Sequence, residues 1–158
     1  MMKILRTGLF LALALLISAC SSTGPRRVSE PAASIQQLTV DANGGWQVRL
    51  RLQNYSSIAM RFDSVDVAVT AGGASAGQLQ ASPALSIAPE SADVIDITLR
   101  PSAEARLQVA DALASGRGLT YTLNGNLVAT PDKGKVRTFR ISRDSALSPT
   151  PGLPGVLR

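Results

Sequence analysis

Asp63 with Asp66, and Asp93 with Asp96, are the carboxylates spaced closely enough to suggest acid–base or cation chemistry. Each pair is offset by three residues. Side chains alternate between the two faces of a strand, so an odd offset sends the two carboxyls to opposite sides. Neither pair is expected to converge on a substrate or an ion, although a bulge near Asp63 would weaken this for the first pair. The remaining chemical inventory is sparse. The chain has no histidine and a single cysteine, Cys20, which removes Ser-His-Asp and Cys-His catalysis, histidine-bearing zinc sites and any internal disulfide. Gly116-Arg117-Gly118 has the composition of a phosphate loop but follows a helical stretch, whereas a nucleotide loop needs a strand before it and a helix after it. Helix capping explains it better. No serine lies in Gly-x-Ser-x-Gly or Ser-x-x-Lys. We expect no enzyme activity, no cofactor and no metal.

Cys20 is informative by its position. Lys3 and Arg6 form a short positive start, Leu9 to Ile17 is an apolar run, and the small residues Ser18 and Ala19 precede Cys20. This is the layout of a secretory signal peptide, and the run is about half the ~20 residues that would span a bilayer. An ordinary signal peptide that happens to contain a cysteine has the same outline. Ile17-Ser18-Ala19-Cys20 also resembles the bacterial lipobox. That resemblance implies cleavage between Ala19 and Cys20, lipid on the Cys20 thiol and acylation of the new amino group. Several acyl chains anchor durably where one binds marginally. Ser21 stands where an aspartate would signal retention at the inner membrane, so the resemblance favours the outer membrane, facing the periplasm. Cleavage also takes Lys3 and Arg6 from the net charge of +5, leaving a mildly cationic mature chain.

With 158 residues and 45% hydrophobic content, the chain suits one ordinary domain with a packed core. Residues 1–19 are the signal peptide. Residues 20–33 read as the lipidated cysteine and a flexible Ser/Pro/Gly/Arg tether, long enough to hold the body roughly 20 Å from the lipid surface. Arg26 and Arg27 are suited to anionic headgroups at about 1 kcal/mol each, or to simple solvation. Residues 34–144 form the body, and 145–158, with Pro149, Pro151, Pro154, Gly152 and Gly155, read as a disordered tail.

The body alternates with the period of strands. Trp46, Val48, Leu50 and Leu52 share one face, with Gln47, Arg49, Arg51 and Gln53 opposite. Asp41 to Gly45 supplies the turn of a hairpin with the Ile35–Val40 segment. Met60 and Phe62 are out of phase with Val65, Val67 and Val69, which predicts a bulge or break near Asp63-Ser64. Short strands follow at 77–81, 85–87 and 94–99, the last with Ile95, Ile97 and Leu99 inward. Residues 102–115 are the one helix, capped by Ser102 and Gly116, with Ala103, Leu107, Ala110, Leu113 and Ala114 as its expected apolar stripe. Strands at 119–123 and 136–142 complete the body, with a bulge or close packing at Gly125. Seven or eight short strands and one helix predict a mainly β, antiparallel two-sheet sandwich; a closed barrel gives the same periodicity. Trp46, the lone tryptophan, is expected in the core.

Cations fall in two groups, Arg49 and Arg51 with Arg61, and Lys133, Lys135, Arg137, Arg140 and Arg143. Aromatic residues make up only 4% of the chain, too few for base stacking, and the leader exports it, so nucleic acid is not an expected partner. An envelope protein, or anionic lipid or polymer in the envelope, is the sensible alternative. Outward arginines on a strand also keep a sheet soluble and block edge pairing.

The order of elements over roughly 35–143 resembles the water-stress and hypersensitive-response (WHy) domain, shared with the group 2 late-embryogenesis-abundant (LEA) proteins. The strand Val48-Arg49-Leu50-Arg51-Leu52-Gln53-Asn54 matches the family's apolar strand leading into Asn-Pro-Asn. Ile58 to Gly77 matches its following long strand, and Pro89 to Leu99, the helix, and Leu119-Thr120-Tyr121-Thr122-Leu123-Asn124-Gly125 match its closing pattern. The resemblance implies a fibronectin-III- or immunoglobulin-like sandwich and a protective role in desiccation, freezing or other stress, and it carries over no catalytic residues. This chain reads Asn54-Tyr55-Ser56 where the family has proline, and tyrosine does not preset φ, so a looser turn is expected. The alternative function is a binding or assembly module.

Overall fold

The Trp46–Gln53 alternation forms the strand it predicts, and its inward residues Trp46, Val48, Leu50 and Leu52 are all buried. This computed structural model describes residues 25–158. The signal peptide, the Ala19–Cys20 cleavage site and the lipidation of Cys20 lie outside the described residues. The elements are β1 (Ala32–Val40), β2 (Trp46–Gln53), β3 (Met60–Ala71), β4 (Ala74–Ala81), β5 (Leu85–Ile87), β6 (Ala92–Leu99), α1 (Ala103–Ser115), β7 (Leu119–Pro131), β8 (Arg137–Leu147) and β9 (Val156–Leu157). One sheet has the order β6-β2-β1-β9, and the other β4-β3-β7-β8 with β5 also paired to β3. All the pairings are antiparallel. Among the described residues the architecture is a two-sheet β-sandwich with one short helix.

Several local expectations hold for physical reasons. Asp41 closes the β1–β2 hairpin, its Oδ1 accepting from the N–H groups of Asn43 and Gly45. The β3–β7 register shifts between Phe62 and Ser64, and this bulge lets Met60 and Phe62 share the core with Val65, Val67 and Val69. Gly125 is a point of close approach: a Cβ there would lie 2.2 Å from the Asp66 carbonyl oxygen on the neighbouring strand. The Ser102 hydroxyl accepts from Ala105 N–H and donates to Ser75 O, so the helix cap also ties α1 to β4. Gly116 ends α1 at φ +65°. Trp46 is fully buried, with its indole N–H unpaired.

The sheets are also joined by a polar bond. Tyr121 on β7 is buried, and its hydroxyl accepts a hydrogen bond from Ile35 N–H at 3.1 Å, where the β1–β2 register shifts. Tyr121→Phe is expected to orphan this buried donor and lower stability by about 1–2 kcal/mol. Equilibrium urea unfolding reads this directly, and an unchanged midpoint would mean that water replaces the bond.

Three expectations are corrected. The helix buries Ala105, Val109 and Ala112, whereas Ala103, Leu107, Ala110 and Ala114 of the expected stripe are exposed and Leu113 is half-buried. Small apolar residues lie on several faces of this alanine-rich helix, so spacing alone does not choose the buried one. The small side chains on the buried face let α1 lie close to the sheets.

The tail is not disordered. β8 runs to Leu147, Ser148 and Arg158 exchange two backbone hydrogen bonds, and β9 pairs with Leu38 and Thr39 of β1. Gly152 and Gly155, at φ +76° and +75°, reverse the chain so that Leu157 enters the core. Leu157→Ala should cost about 2–4 kcal/mol. Thermal unfolding checks this, since a disordered tail predicts no change.

The tether, read as flexible through residue 33, is built into the fold over its second half. Arg27 and Ser57 exchange backbone and side-chain bonds, Ser29 N–H donates to Ser56 Oγ, and β1 begins at Ala32. These contacts replace the solvation that the local composition suggested.

Candidate functional site

The most elaborate polar construction in the described chain is the Asn54-Tyr55-Ser56 turn. Among the described residues, Asn54 and Ser56 are the buried polar ones. The alternating strand β2 ends at Gln53, which brings Asn54 over the end of the core. Its side-chain amide donates toward the carbonyls of Ile58, Ile87 and Ala88 at 2.9, 3.2 and 3.0 Å. Its Oδ1 accepts from Ser56 N–H at 2.9 Å. This last bond closes an Asx turn without proline. The Ser56 hydroxyl lies 3.1 Å from Met60 Sδ and accepts from Ser29 N–H. The turn thereby joins the entering segment at 25–29, the start of β3 and the β5–β6 connection.

The β7–β8 turn reaches the same end, where Asp132 N–H donates to Ala59 O at 2.8 Å. Arg27 bridges across it, donating to Tyr55 O and pairing with Glu90. Tyr55 projects outward, 52% exposed. Tyr55 is thus the solvent-facing member of the motif, and Asn54 and Ser56 are structural.

The carboxylates do not assemble. Asp63 is engaged by Arg61 and by the Thr130 hydroxyl. Asp66 accepts from Gln78 and Gln80, Asp93 accepts from Val94 N–H, and Asp96 faces Arg49. Among the described residues no three Asp, Glu, His or Cys side chains gather as a metal cage. Arg117 pairs with Asp111, and Gly116 is the helix cap, so the Gly116-Arg117-Gly118 segment has a structural role.

The first cation group is dispersed. Arg49 and Arg51 lie on the outer face of one sheet, and Arg61 lies on the other sheet. The second group is strung along the β7–β8 turn and the edge strand β8, with Arg140 on the opposite face from Arg137 and Arg143. At the opposite end of the sandwich, a hollow of about 560 Å³ lies between the Asp41–Gly45 turn, Thr98, Arg100 and Arg106.

The fold and its principal polar turn define a β-sandwich domain organised by a structural asparagine. The family described as late embryogenesis abundant protein, LEA_2, matches residues 49–143, and the chain belongs to that family. A protein of Arabidopsis thaliana solved in solution has the same fold, with 15% identity and a TM-score of 0.53 over 83% of this chain and 89% of that one. A second solution structure, named for a late embryogenesis abundant (LEA) protein, aligns at 11% identity and TM-score 0.48 over 97% of this chain and 85% of that one. A crystal structure from Archaeoglobus fulgidus aligns at 12% identity and TM-score 0.44 over 78% and 98%. No curated protein matches the chain. Among the described residues no helix is long and apolar enough to cross a membrane.

Proposed function

We propose that this chain is a lipid-anchored, non-catalytic protein of the bacterial cell envelope whose WHy-like LEA_2 domain protects neighbouring membrane or protein during desiccation or related stress. The observation that carries the protective half is the LEA_2 match over 49–143. The anchoring half rests on the Ile17-Ser18-Ala19-Cys20 motif, and Ser21 favours the outer membrane over the inner. The physical route is weak, non-specific contact: a stable sandwich with a polar, mildly cationic surface keeps partly unfolded neighbours apart. Carboxylates already committed to local partners support the non-catalytic reading.

In a strain carrying only Cys20→Ala, the protein should stay unlipidated and partition to the aqueous phase of a detergent extraction, and survival of drying should fall to that of the deletion strain. A deletion strain that survives drying, freezing and osmotic shock as well as its parent overturns the protective role.

One feature favours a second reading, a module that docks a specific envelope protein. Among the described residues the edge strand β8 leaves one side unpaired, and Arg137, Arg140 and Arg143 lie along it on alternating faces. Such an edge accepts an added strand from an acidic partner. Crosslinking in intact cells that recovers one stoichiometric partner through β8 supports this reading; diffuse labelling removes it.

A further inference from the structure

The segment from Pro25 to Ser29 is fastened to the Ser56–Ser57 loop, with Ser57 Oγ 3.1 Å from Pro25 O. This fixes where the chain leaves the sandwich. Five residue steps separate Cys20 from Pro25, which span at most ~18 Å when fully extended and about 12 Å as a flexible coil. A lipid on Cys20 therefore cannot let the sandwich tumble freely above a bilayer. The end that carries the exit must lie close to the headgroups.

That end has the composition of a lipid-facing surface. Tyr55 and Val136, 52% and 63% exposed, are two of the large hydrophobic side chains left uncovered by the fold. Around them lie Arg26, Arg27, Lys133, Lys135 and Arg137, with the carboxylates Glu30, Glu90, Asp93 and Asp132 and the Arg61–Asp63 pair also at this end. Glu90 is paired with Arg27, whereas Lys133, Lys135 and Arg137 have no carboxylate within ion-pair distance among the described residues. The Asp132 N–H bond to Ala59 O holds the cationic turn beside the exit. Amphipathic tyrosine with exposed aliphatic and basic residues suits the headgroup layer, where each cation near an anionic surface contributes about 1 kcal/mol. The helix, the Asp41–Gly45 turn and β9 lie at the far end.

We infer that the face built from Tyr55, Lys133, Lys135 and Val136 docks on anionic lipid headgroups, so that the sandwich stands end-on with α1 pointing away from the membrane. The inference rests on Cys20 lipidation and adds the orientation and the lipid charge.

The chain carries its own reporter. Its lysines are Lys3, Lys133 and Lys135, so after cleavage a water-soluble amine-acylating reagent reads only this face. The purified full-length mature protein is inserted into vesicles of phosphatidylcholine alone or with phosphatidylglycerol. Labelling is followed by peptide mass spectrometry, with arginine modification at Arg100 and Arg106 as the far-end control. Labelling of Lys133 and Lys135 should be slowed roughly fivefold or more on the anionic vesicles and restored by high salt, with the arginine control unchanged. Equal lysine labelling on both vesicles, with acyl mass on Cys20, overturns the docking and leaves the anchor standing. A bare Cys20 thiol removes the anchor and the docking together.

Discussion

Replacing Asn54 by alanine is expected to lower the unfolding free energy by about 3–5 kcal/mol, a large share of what a domain of this size possesses. The loss comes from groups that stay behind. Ile58 O, Ile87 O and Ala88 O would lose their side-chain donor, and Ser56 N–H would lose its acceptor. A buried polar group without a partner costs about 1–3 kcal/mol, which exceeds the net gain from making an ordinary hydrogen bond. Water entering the vacated space would offset part of this, which sets the lower figure. Urea unfolding measures the change, and hydrogen exchange shows its location: protection should fall first at 54–58 and 87–91. A loss below about 1 kcal/mol would show that the backbone holds this turn without the amide. Tyr55→Ala is the contrasting variant. Its side chain is largely in solvent, so stability should change by no more than about 0.5 kcal/mol.

The second large effect is expected at Gly125. It sits opposite Val67 within the central β3–β7 pair. An added Cβ would meet Asp66 O at 2.2 Å and Val67 Cα at 2.7 Å. Both are backbone atoms of a strand paired on both sides, so neither can yield as the end of a flexible side chain would. Gly125→Ala should therefore destabilise by at least about 4 kcal/mol and leave much of the protein unfolded or aggregated at 37 °C. Gly118→Ala provides the control. Its Cβ would find only ordinary contacts, with Leu147 O at 3.7 Å, and alanine restricts the unfolded chain, so stability should hold or rise by up to about 1 kcal/mol. Near-native stability of Gly125→Ala would refute the close approach of the two strands.

The two effects bear on function through the same end of the molecule. Asn54 organises the turn that receives the segment leading back to Cys20, and Gly125 belongs to the sheet that carries the β7–β8 turn. An Asn54 variant that remains folded should release residues 25–29 and lengthen the effective tether. In the vesicle experiment it should lose the selective protection of Lys133 and Lys135 while keeping its acyl chains. That separates correct anchoring from correct orientation.

The sequence by itself determined the features encoded over a few neighbouring residues. The Trp46–Gln53 alternation specified which side chains enter the core, the phase change around Asp63-Ser64 required a bulge, and Ser102 and Gly116 bounded the helix. Periodicity carries these because it fixes which side of a strand a residue occupies, and capping depends on backbone groups only a few residues away. The odd spacing of Asp93 and Asp96 likewise fixed them on opposite faces, opposite Leu52 and Arg49, whereas the bulge between Phe62 and Ser64 returns Asp63 and Asp66 to one outward phase. Only the tertiary structure decided which face of α1 is buried, because Ala105 and Leu107 are both apolar and the choice belongs to the surface that α1 packs against. It also decided that the Pro/Gly-rich end is strand rather than tail, since Leu157 finds its place beside Leu38, far away in the chain. The partners of Asn54 and the fastening of Arg27 and Ser29 were hidden for the same reason. Their hydrogen bonds reach across some thirty residues, and a polar side chain shows nothing locally of whether solvent or a distant backbone group will satisfy it.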